Sequence, residues 1–332
     1  MRTIFFTALL CAASLILPGA HAQPSDADTK QLTTLRAKAE KGDAQAQSKL
    51  AEAYFLGSLG LAKNEVEAVK WLRKAAAQNS AIAQCNLGNC YYKGQGVDKD
   101  IAEAMKWFRK AAEQNDPQAQ YSLGVGYRDG QGVSKDEGEM VKWYRRAAGQ
   151  NYADAQYNLG VCYATGHGVA KDEREAVNWY RKAAEQNIAA AQSNLGICYA
   201  KGQGVEKDEA EAVRFYRKAA DQNHAQAQYN LGGNYFLGQG VAKDEVEAVK
   251  WYRKAAEQNI AEAQFKLGLC IAFGRGVAQD YVEGYAWNVL AARNDKSATK
   301  VRDDLEKAMS PEQIAAGQKR AKELRAEIEA KP

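Results

Sequence analysis

From Ala119 to Asn151 the chain reads AQYSLGVGYRDGQGVSKDEGEMVKWYRRAAGQN, and 36 residues later, from Ala155, it reads AQYNLGVCYATGHGVAKDEREAVNWYRKAAEQN. Tryptophan occupies the same place in most copies, at positions 71, 107, 143, 179, 251 and 287, and Phe215 fills the one gap. Self-similarity at a fixed period of this length is the signature of a solenoid, in which each unit packs only on its neighbours. The repeat therefore predicts a solenoid rather than the two ordinary domains that 332 residues would suggest.

Each copy contains two helical patterns joined by a glycine turn. In the first pattern Ala155, Leu159 and Tyr163 recur four residues apart, so they share one helical face and are predicted to be core. A G-x-G-V turn follows, and the second pattern has a wide apolar face that includes Trp179 and Tyr180. No strand pattern separates them, so the prediction is an all-α chain.

The ends of the helices carry their own signals. Asp172 is followed three residues later by Glu175, and the pair recurs in register in five other copies. The spacing predicts a capping box, in which the Asp oxygen accepts a backbone N–H and the Glu reaches back to the cap. Capping accounts for every acidic pair, so the sequence offers no case for paired catalytic carboxylates. Asn187 and its counterparts are predicted to end the second helix in the left-handed conformation. Gly160, inside the first helix, predicts a close approach by a neighbouring helix.

The first residues differ from the rest. Arg2 precedes an apolar run from Ile4 to Leu17, and Ala20-His21-Ala22 is a small-x-small cleavage site. This pattern predicts a signal peptide cut after Ala22, and therefore a periplasmic or secreted protein with no stable membrane insertion after cleavage.

The copies divide the whole chain into segments. The predicted boundaries are 1–22 signal peptide, 23–30 flexible leader, 31–42 N-terminal capping helix, seven repeats (43–79, 80–115, 116–151, 152–187, 188–223, 224–259 and 260–295), and 296–332 C-terminal capping helices. A solenoid needs such caps because its terminal units would otherwise expose an apolar face.

The shared pattern AxAQxxLGxxYxxGxGVxKDxxEAVxWYRKAAEQN resembles the Sel1-like repeat, a relative of the tetratricopeptide repeat, over about residues 43–295. The string Met309-Ser310-Pro311-Glu312-Gln313 is also similar to the way many bacterial members finish. The resemblance implies a right-handed α/α superhelical solenoid of seven Sel1-like repeats. It also implies an adaptor that holds or modulates other proteins, without shared catalytic residues. One departure is Asn where the family's usual helix-ending residue is Gly.

Composition and motifs exclude several other classes of function. Lys and Arg number 45 and Asp and Glu 41, which gives no electrostatic argument for nucleic acid as a partner. The G-x-G turn lacks the third glycine and the preceding strand of a nucleotide loop. No histidines cluster and no Cys-x-x-Cys occurs, so neither a metal site nor a cofactor is expected. Ser297-Ala298-Thr299-Lys300 matches the SxxK string of penicillin-binding enzymes, but its partner strings SDN and KTG are missing.

Five cysteines follow the predicted cleavage site, and four of them share one column of the repeat with Gly126 and Asn234. The column is therefore a small, tightly packed position, and buried thiols without disulfides are predicted. In a cysteine-rich branch of the family, a disulfide joins the two helices of each repeat. This chain lacks the second column of cysteines that such a disulfide needs. An odd number of cysteines in an oxidising compartment leaves a disulfide open. The residues are Cys85, Cys90, Cys162, Cys198 and Cys270.

One face of the first helices is a candidate for binding a partner. If the first helices line the concave side, this face forms an inner groove, and aromatic and Arg side chains are typical interface anchors. Packing between adjacent first helices is an alternative role for its tyrosines. Arg128, Asp129, Phe236 and Leu237 are the better candidates because they break the chain's own pattern. The candidate residues are Tyr121, Arg128, Asp129, Tyr157, Tyr229, Phe236, Leu237 and Phe265.

These observations predict an exported, non-catalytic scaffold that binds a protein or peptide in its groove and regulates or assembles an envelope or secreted complex. An alternative is a cell-wall or small-molecule binding protein, or a β-lactam or muropeptide hydrolase that uses Ser297. A purely mechanical spacer is a third possibility.

Overall fold

The computed structural model describes residues 25–293 and 296–330, and it folds them into seventeen helices without a strand. The predicted signal peptide and the first two residues of the predicted leader lie outside the described residues. The helices are α1 Asp26–Glu40, α2 Ala44–Leu56, α3 Glu65–Ala77, α4 Ala81–Lys93, α5 Ile101–Glu113, α6 Pro117–Asp129, α7 Glu137–Gly149, α8 Ala153–Thr165, α9 Glu173–Glu185, α10 Ala189–Lys201, α11 Glu209–Asp221, α12 Ala225–Leu237, α13 Glu245–Ala256, α14 Ala261–Ala272, α15 Tyr281–Ala291, α16 Lys296–Ala308 and α17 Pro311–Glu329.

The chain forms two compact units that divide inside α5, between Trp107 and Phe108. In the first unit α2 packs on α1 and α3, and α4 packs on α3. In the second unit each first helix from α8 onward packs on the second helix before it and the second helix after it. The pattern of contacts is that of an all-α repeat solenoid.

The core of each repeat is one leucine from the first helix surrounded by alanines and aromatic residues. These leucines are fully buried: Leu50, Leu87, Leu123, Leu159, Leu195, Leu231 and Leu267. In the third to sixth repeats the glycine one residue further on lies against a tyrosine ring of the second helix. A Cβ at Gly160 would stand 2.7 Å from ring carbons of Tyr180. The predicted close approach is therefore present, and its cause is an aromatic side chain.

The tyrosines predicted to be core are only half-buried. Tyr163 lies at the edge of the core, and its hydroxyl accepts a hydrogen bond from Arg145 Nη2 at 3.0 Å. The same Arg–Tyr pair joins successive repeats elsewhere, as in Arg73 with Tyr91 at 3.0 Å. The phenol is polar at its tip, and a position at the core edge lets that tip reach a donor.

The helix ends confirm half of the predicted capping box. Asp136 Oδ1 accepts the backbone N–H of Glu139 at 2.9 Å, as expected. The glutamate turns to the next turn of its own helix instead of reaching back, and Glu139 Oε1 accepts from Lys142 Nζ at 2.6 Å. The Glu carboxylate therefore pairs with a Lys three residues ahead on the same helix, a spacing at which opposite charges stabilise a helix. The predicted left-handed asparagines are confirmed, with φ of 61° at Asn187.

Buried glutamines link consecutive repeats. Gln156 is 2% exposed, and its Nε2 donates to the Ala148 carbonyl oxygen at 3.3 Å and to Asn151 Oδ1 at 3.0 Å. Gln186, at the end of the same repeat, donates from Nε2 to Gln156 Oε1 at 2.8 Å. We call these linked hydrogen bonds the glutamine ladder. Buried amides need hydrogen-bond partners, and the ladder provides them both for the glutamine side chains and for the free carbonyl oxygens at the helix ends. The repeat pattern alone does not predict these bonds.

Both ends of the chain carry capping helices. α1 begins at Asp26, earlier than the predicted helix over 31–42 and inside the predicted leader over 23–30. The reason is local: Ser25 Oγ accepts from the Asp28 backbone N–H at 3.1 Å, and Asp28 Oδ2 accepts from the Ser25 backbone N–H at 3.3 Å. At the other end Ser310 and Gln313 form a full capping box at the start of α17, which packs on α15.

Candidate partner-binding surface

The eight candidate residues lie on α6, α8, α12 and α14, all in the second compact unit. The structure divides them by what they contact. Some pack within a repeat, some pair with each other, and some stand exposed.

The three tyrosines pack against the second helix of their own repeat. Tyr121 is half-buried, with its ring centroid 5.9 Å from that of Tyr144, and Tyr157 lies 6.1 Å from Tyr180. The Tyr121 hydroxyl accepts a hydrogen bond from Asn158 Nδ2 at 3.4 Å, and burial raises the pKa of this hydroxyl. Tyr229 follows the same rule at 5.9 Å from Tyr252. These contacts give the tyrosines a packing role, although their rings pack on the second helix of their own repeat and not between adjacent first helices as predicted.

Arg128 and Asp129 neutralise each other. Arg128 Nε donates to Asp129 Oδ1 at 2.8 Å and Arg128 Nη2 donates to Asp129 Oδ2 at 3.0 Å. The hydrogen bonds from Arg128 lower the pKa of the Asp129 carboxyl. Both side chains are partly exposed, so the pair is worth little to stability and presents little net charge to a partner.

Phe236 and Leu237 form the exposed apolar part of the candidate set. Leu237, the last residue of α12, is 62% exposed. The half-buried Phe236 ring lies 6.3 Å from the Tyr252 ring, and the Arg275 guanidinium carbon stands 4.1 Å from its centroid. Arg275 Nη2 also donates to Glu245 Oε1 at 2.7 Å, and this hydrogen bond lowers the pKa of the Glu245 carboxyl.

Two residues that the sequence analysis missed extend this surface. Phe273 occupies the position of Leu237 in the next repeat and is 55% exposed. Arg275, two residues later, stands where most copies have Gln in the glycine turn. The signal was available, because both residues break the repeat pattern. We call Phe236, Leu237, Phe273 and Arg275 the apolar surface.

The structure brings the candidates together in two separate groups. Tyr121, Arg128 and Asp129 interact in the third repeat. Tyr229 and Phe236 both contact the ring of Tyr252 in the sixth repeat. Tyr157 in the fourth repeat and the half-buried Phe265 in the seventh stand outside these groups.

The chemically reactive side chains are placed for structure. His224 Nδ1 accepts from the Ala227 backbone N–H at 3.3 Å as a helix cap, and burial lowers the pKa of His224. All five described cysteines are buried, none of them in a disulfide, and burial raises the pKa of the Cys162 thiol to about 11. In residues 25–293 and 296–330 no cluster of His, Cys, Asp or Glu is arranged to hold a metal ion. Ser297 lies exposed on α16.

No helix of the described part of the chain is both long enough and apolar enough to cross a membrane.

Comparison with known proteins agrees with this architecture. A Sel1 repeat sequence model matches seven times, one residue later than the predicted first boundary: residues 44–80, 81–116, 117–152, 153–188, 189–224, 225–260 and 261–296. A Sel1 repeat protein from Oxalobacter formigenes is 33% identical over 75% of this chain and 96% of its own, with a TM-score of 0.66. The uropathogenic Escherichia coli protective antigen c5321 is 27% identical over 91% of this chain and 88% of its own, with a TM-score of 0.54. The search of curated proteins found no match. Because the repeat model covers most of the chain, the chain belongs to the Sel1 repeat family.

Proposed function

We propose that this protein is an exported, non-catalytic scaffold that binds a protein or peptide partner through the first-helix face of its sixth and seventh repeats. The observation that carries the proposal is the apolar surface, where Leu237 and Phe273 stand exposed at equivalent positions of adjacent repeats. Repeat consensus does not dictate either residue, so packing within the solenoid does not explain them. The first-helix face is also the one expected to line the groove.

The chemistry of the surface suits a peptide or protein anchor. Because Leu237 and Phe273 are 62% and 55% exposed, burying the exposed part of both side chains under a partner would contribute about 2–3 kcal/mol before the entropic costs of association. Arg275 adds donors at the edge of the surface, beside the Phe236 ring. Apolar anchors with an Arg beside them are typical of interface hot spots.

Export is the second part of the proposal, and it rests on residues 1–22. A positive start, an apolar run of signal length and the Ala20-His21-Ala22 site support cleavage before Gln23. N-terminal sequencing of the protein recovered from the envelope and the medium tests this. We expect Gln23 as the first residue, and an intact N-terminus in the cytoplasmic fraction would contradict export.

Affinity capture tests the binding surface. Tagged residues 23–332 would be crosslinked in envelope extract of the source cell, alongside the variant Leu237→Asp/Phe273→Asp. The control is Val246→Asp, because Val246 is 54% exposed on α13 and lies outside the first-helix face. We expect one specific partner that the double variant loses and the control retains. A partner lost with Arg128→Ala instead would move the site to the third repeat.

A further inference from the structure

Core clusters in the middle of the chain join three consecutive helices, and one aromatic side chain of the next helix packs on them. Met140 of α7 and Leu159 of α8 share a cluster against which Tyr121 and Val125 of α6 pack. The next cluster repeats the arrangement, with Tyr157 and other residues of α8 packed on α9 and α10. Thus the groove between a second helix and the following first helix is covered by the preceding first helix.

At the start of the described chain this third helix has no counterpart. α1 takes the place of a second helix and α2 that of a first helix, and the cluster of Ala39, Ala46 and Leu50 joins them. A groove of about 730 Å³ runs between α1 and α2. Its apolar lining includes Leu35 and Leu56, and Leu56 is 70% exposed. The repeat geometry therefore leaves a helix-shaped position open here.

The rim of this groove is basic. Lys30 and Lys38 of α1 and Lys49 of α2 line it, with Glu52 as the opposing charge. None of the three lysines has an ion-pair partner among the described residues. Other lysines of the same unit do, as in Lys63 with Glu65 at 2.9 Å. The groove thus offers three uncommitted ammonium groups around an apolar floor.

The turn after α2 also contributes to the groove. It reads Gly57-Ser58-Leu59-Gly60, one residue longer than the G-x-G turn of the other repeats. Leu59 has a φ of 55°, the left-handed region that bulky residues avoid, and its side chain lines the groove. An unfavourable backbone conformation therefore accompanies an additional apolar side chain at the groove.

We propose that the groove between α1 and α2 is a docking site for an amphipathic helix of a partner protein, with an apolar stripe flanked by acidic residues. The occupant is a helix because a helix fills the equivalent position elsewhere in the chain. Its flanks are acidic because the rim carries three lysines and one glutamate. This site lies in the first compact unit and is independent of the apolar surface of the sixth and seventh repeats.

Fluorescence anisotropy with stapled synthetic helices tests the proposal. The probe carries Tyr and Val at four-residue spacing, as Tyr121 and Val125 do on α6, with Glu on both flanks; a second probe carries Lys instead of Glu. Against residues 23–332 we expect the Glu probe to bind at least tenfold more tightly than the Lys probe. Leu56→Asp should weaken it at least tenfold. The control Val66→Asp, 56% exposed on α3 of the same unit, should leave it unchanged.

Three results would overturn the proposal. Equal binding to Leu56→Asp and Val66→Asp would place the probe elsewhere. Binding to residues 23–332 but not to residues 1–332 would make the chain's own first residues the occupant. Self-association in sedimentation experiments that Leu56→Asp abolishes would make a second copy the occupant. Loss of the captured partner in Leu237→Asp/Phe273→Asp concerns the proposed function alone, because that variant leaves this groove intact.

Discussion

At the scale of single residues, the repeat depends on small residues of the first helix that leave room for a large aromatic side chain of the second helix. Gly124 lies under the ring of Tyr144, which is 1% exposed, and a Cβ on Gly124 would stand 2.5 Å from that ring. Glycine inside a helix costs about 1 kcal/mol relative to alanine, so the fold accepts that cost in order to bury an aromatic ring. The cysteine column follows the same logic, since Gly126 and Asn234 share it.

Replacing the helix glycine should destabilise the protein even though alanine is the better helix former. We expect Gly124→Ala to lower the free energy of unfolding by about 1–2 kcal/mol, because overpacking outweighs the gain in helix propensity. Urea denaturation followed by circular dichroism measures this. Gly149→Ala is the control, since nothing lies within 4 Å of the Cβ it would add, and it should be neutral or slightly stabilising. Equal effects of the two changes would contradict the packing account.

The buried thiols should make stability depend on alkaline pH. Burial raises the pKa of Cys162, Cys198 and Cys270 from 9.0 to about 11, so above pH 9 the unfolded chain loses these protons first. Their contribution is complete below about pH 9 and falls progressively as pH rises toward 11. A Cys→Ala variant at these three positions should lose less stability than wild type between pH 9 and pH 11, by urea denaturation. A parallel decline in both proteins would assign the effect to other groups.

At the scale of one helix, the start of the second helix depends on its Asp cap alone. Asp172 Oδ1 accepts the backbone N–H groups of Arg174 and Glu175, each at 3.0 Å. The Glu175 carboxylate accepts from Asn178 Nδ2 at 3.4 Å, at the surface. Sequence spacing identified the cap but assigned the Glu a return bond, because the spacing of a capping box and that of a surface pair along the helix are the same.

Single substitutions separate the two roles. We expect Asp172→Ala to cost about 1 kcal/mol, because two backbone N–H groups lose their acceptor. Glu175→Ala should change stability by less than about 0.5 kcal/mol, the usual range for an exposed side chain. Chemical denaturation of both variants is the measurement. If Glu175→Ala lowered the free energy of unfolding as much as Asp172→Ala, the Glu would also be acting as a cap, as the full capping box requires.

At the scale of the whole chain, the period of 36 residues was sufficient to predict the all-α solenoid of seven repeats. It did not reveal the glutamine ladder. In the sequence of one repeat, the recurring Gln cannot be distinguished from a surface amide, because its partners belong to neighbouring repeats. The repeat pattern ranked Leu237, which is exposed, above Tyr121 because Leu237 breaks that pattern, but it kept Tyr121 as a candidate although that ring packs within its repeat. Which side of a helix a neighbour covers depends on stacking geometry that the sequence pattern does not contain.

Substitutions at two glutamines of the ladder should affect stability non-additively only where the two side chains share a hydrogen bond. We expect a double-mutant cycle of Gln156→Ala and Gln186→Ala to give an interaction energy of about 1 kcal/mol, because Gln186 donates to Gln156 at 2.8 Å. The matched cycle of Gln156→Ala with Gln258→Ala should give about zero. Gln258 instead donates to Gln228 Oε1 at 2.7 Å. Equal interaction energies in the two cycles would mean that the hydrogen bond between Gln186 and Gln156 does not contribute to stability.

Site-specific photocrosslinking in living cells tests the central claim most directly. A photoreactive phenylalanine analogue would replace Leu237, Phe273 or Val246 one at a time, and the adducts would be separated by size and identified by mass spectrometry. All three positions are exposed and apolar, but only the first two belong to the apolar surface. The scaffold account predicts the same discrete adduct from positions 237 and 273 and none from position 246. Adducts from position 246 alone, or none from any position, would contradict it.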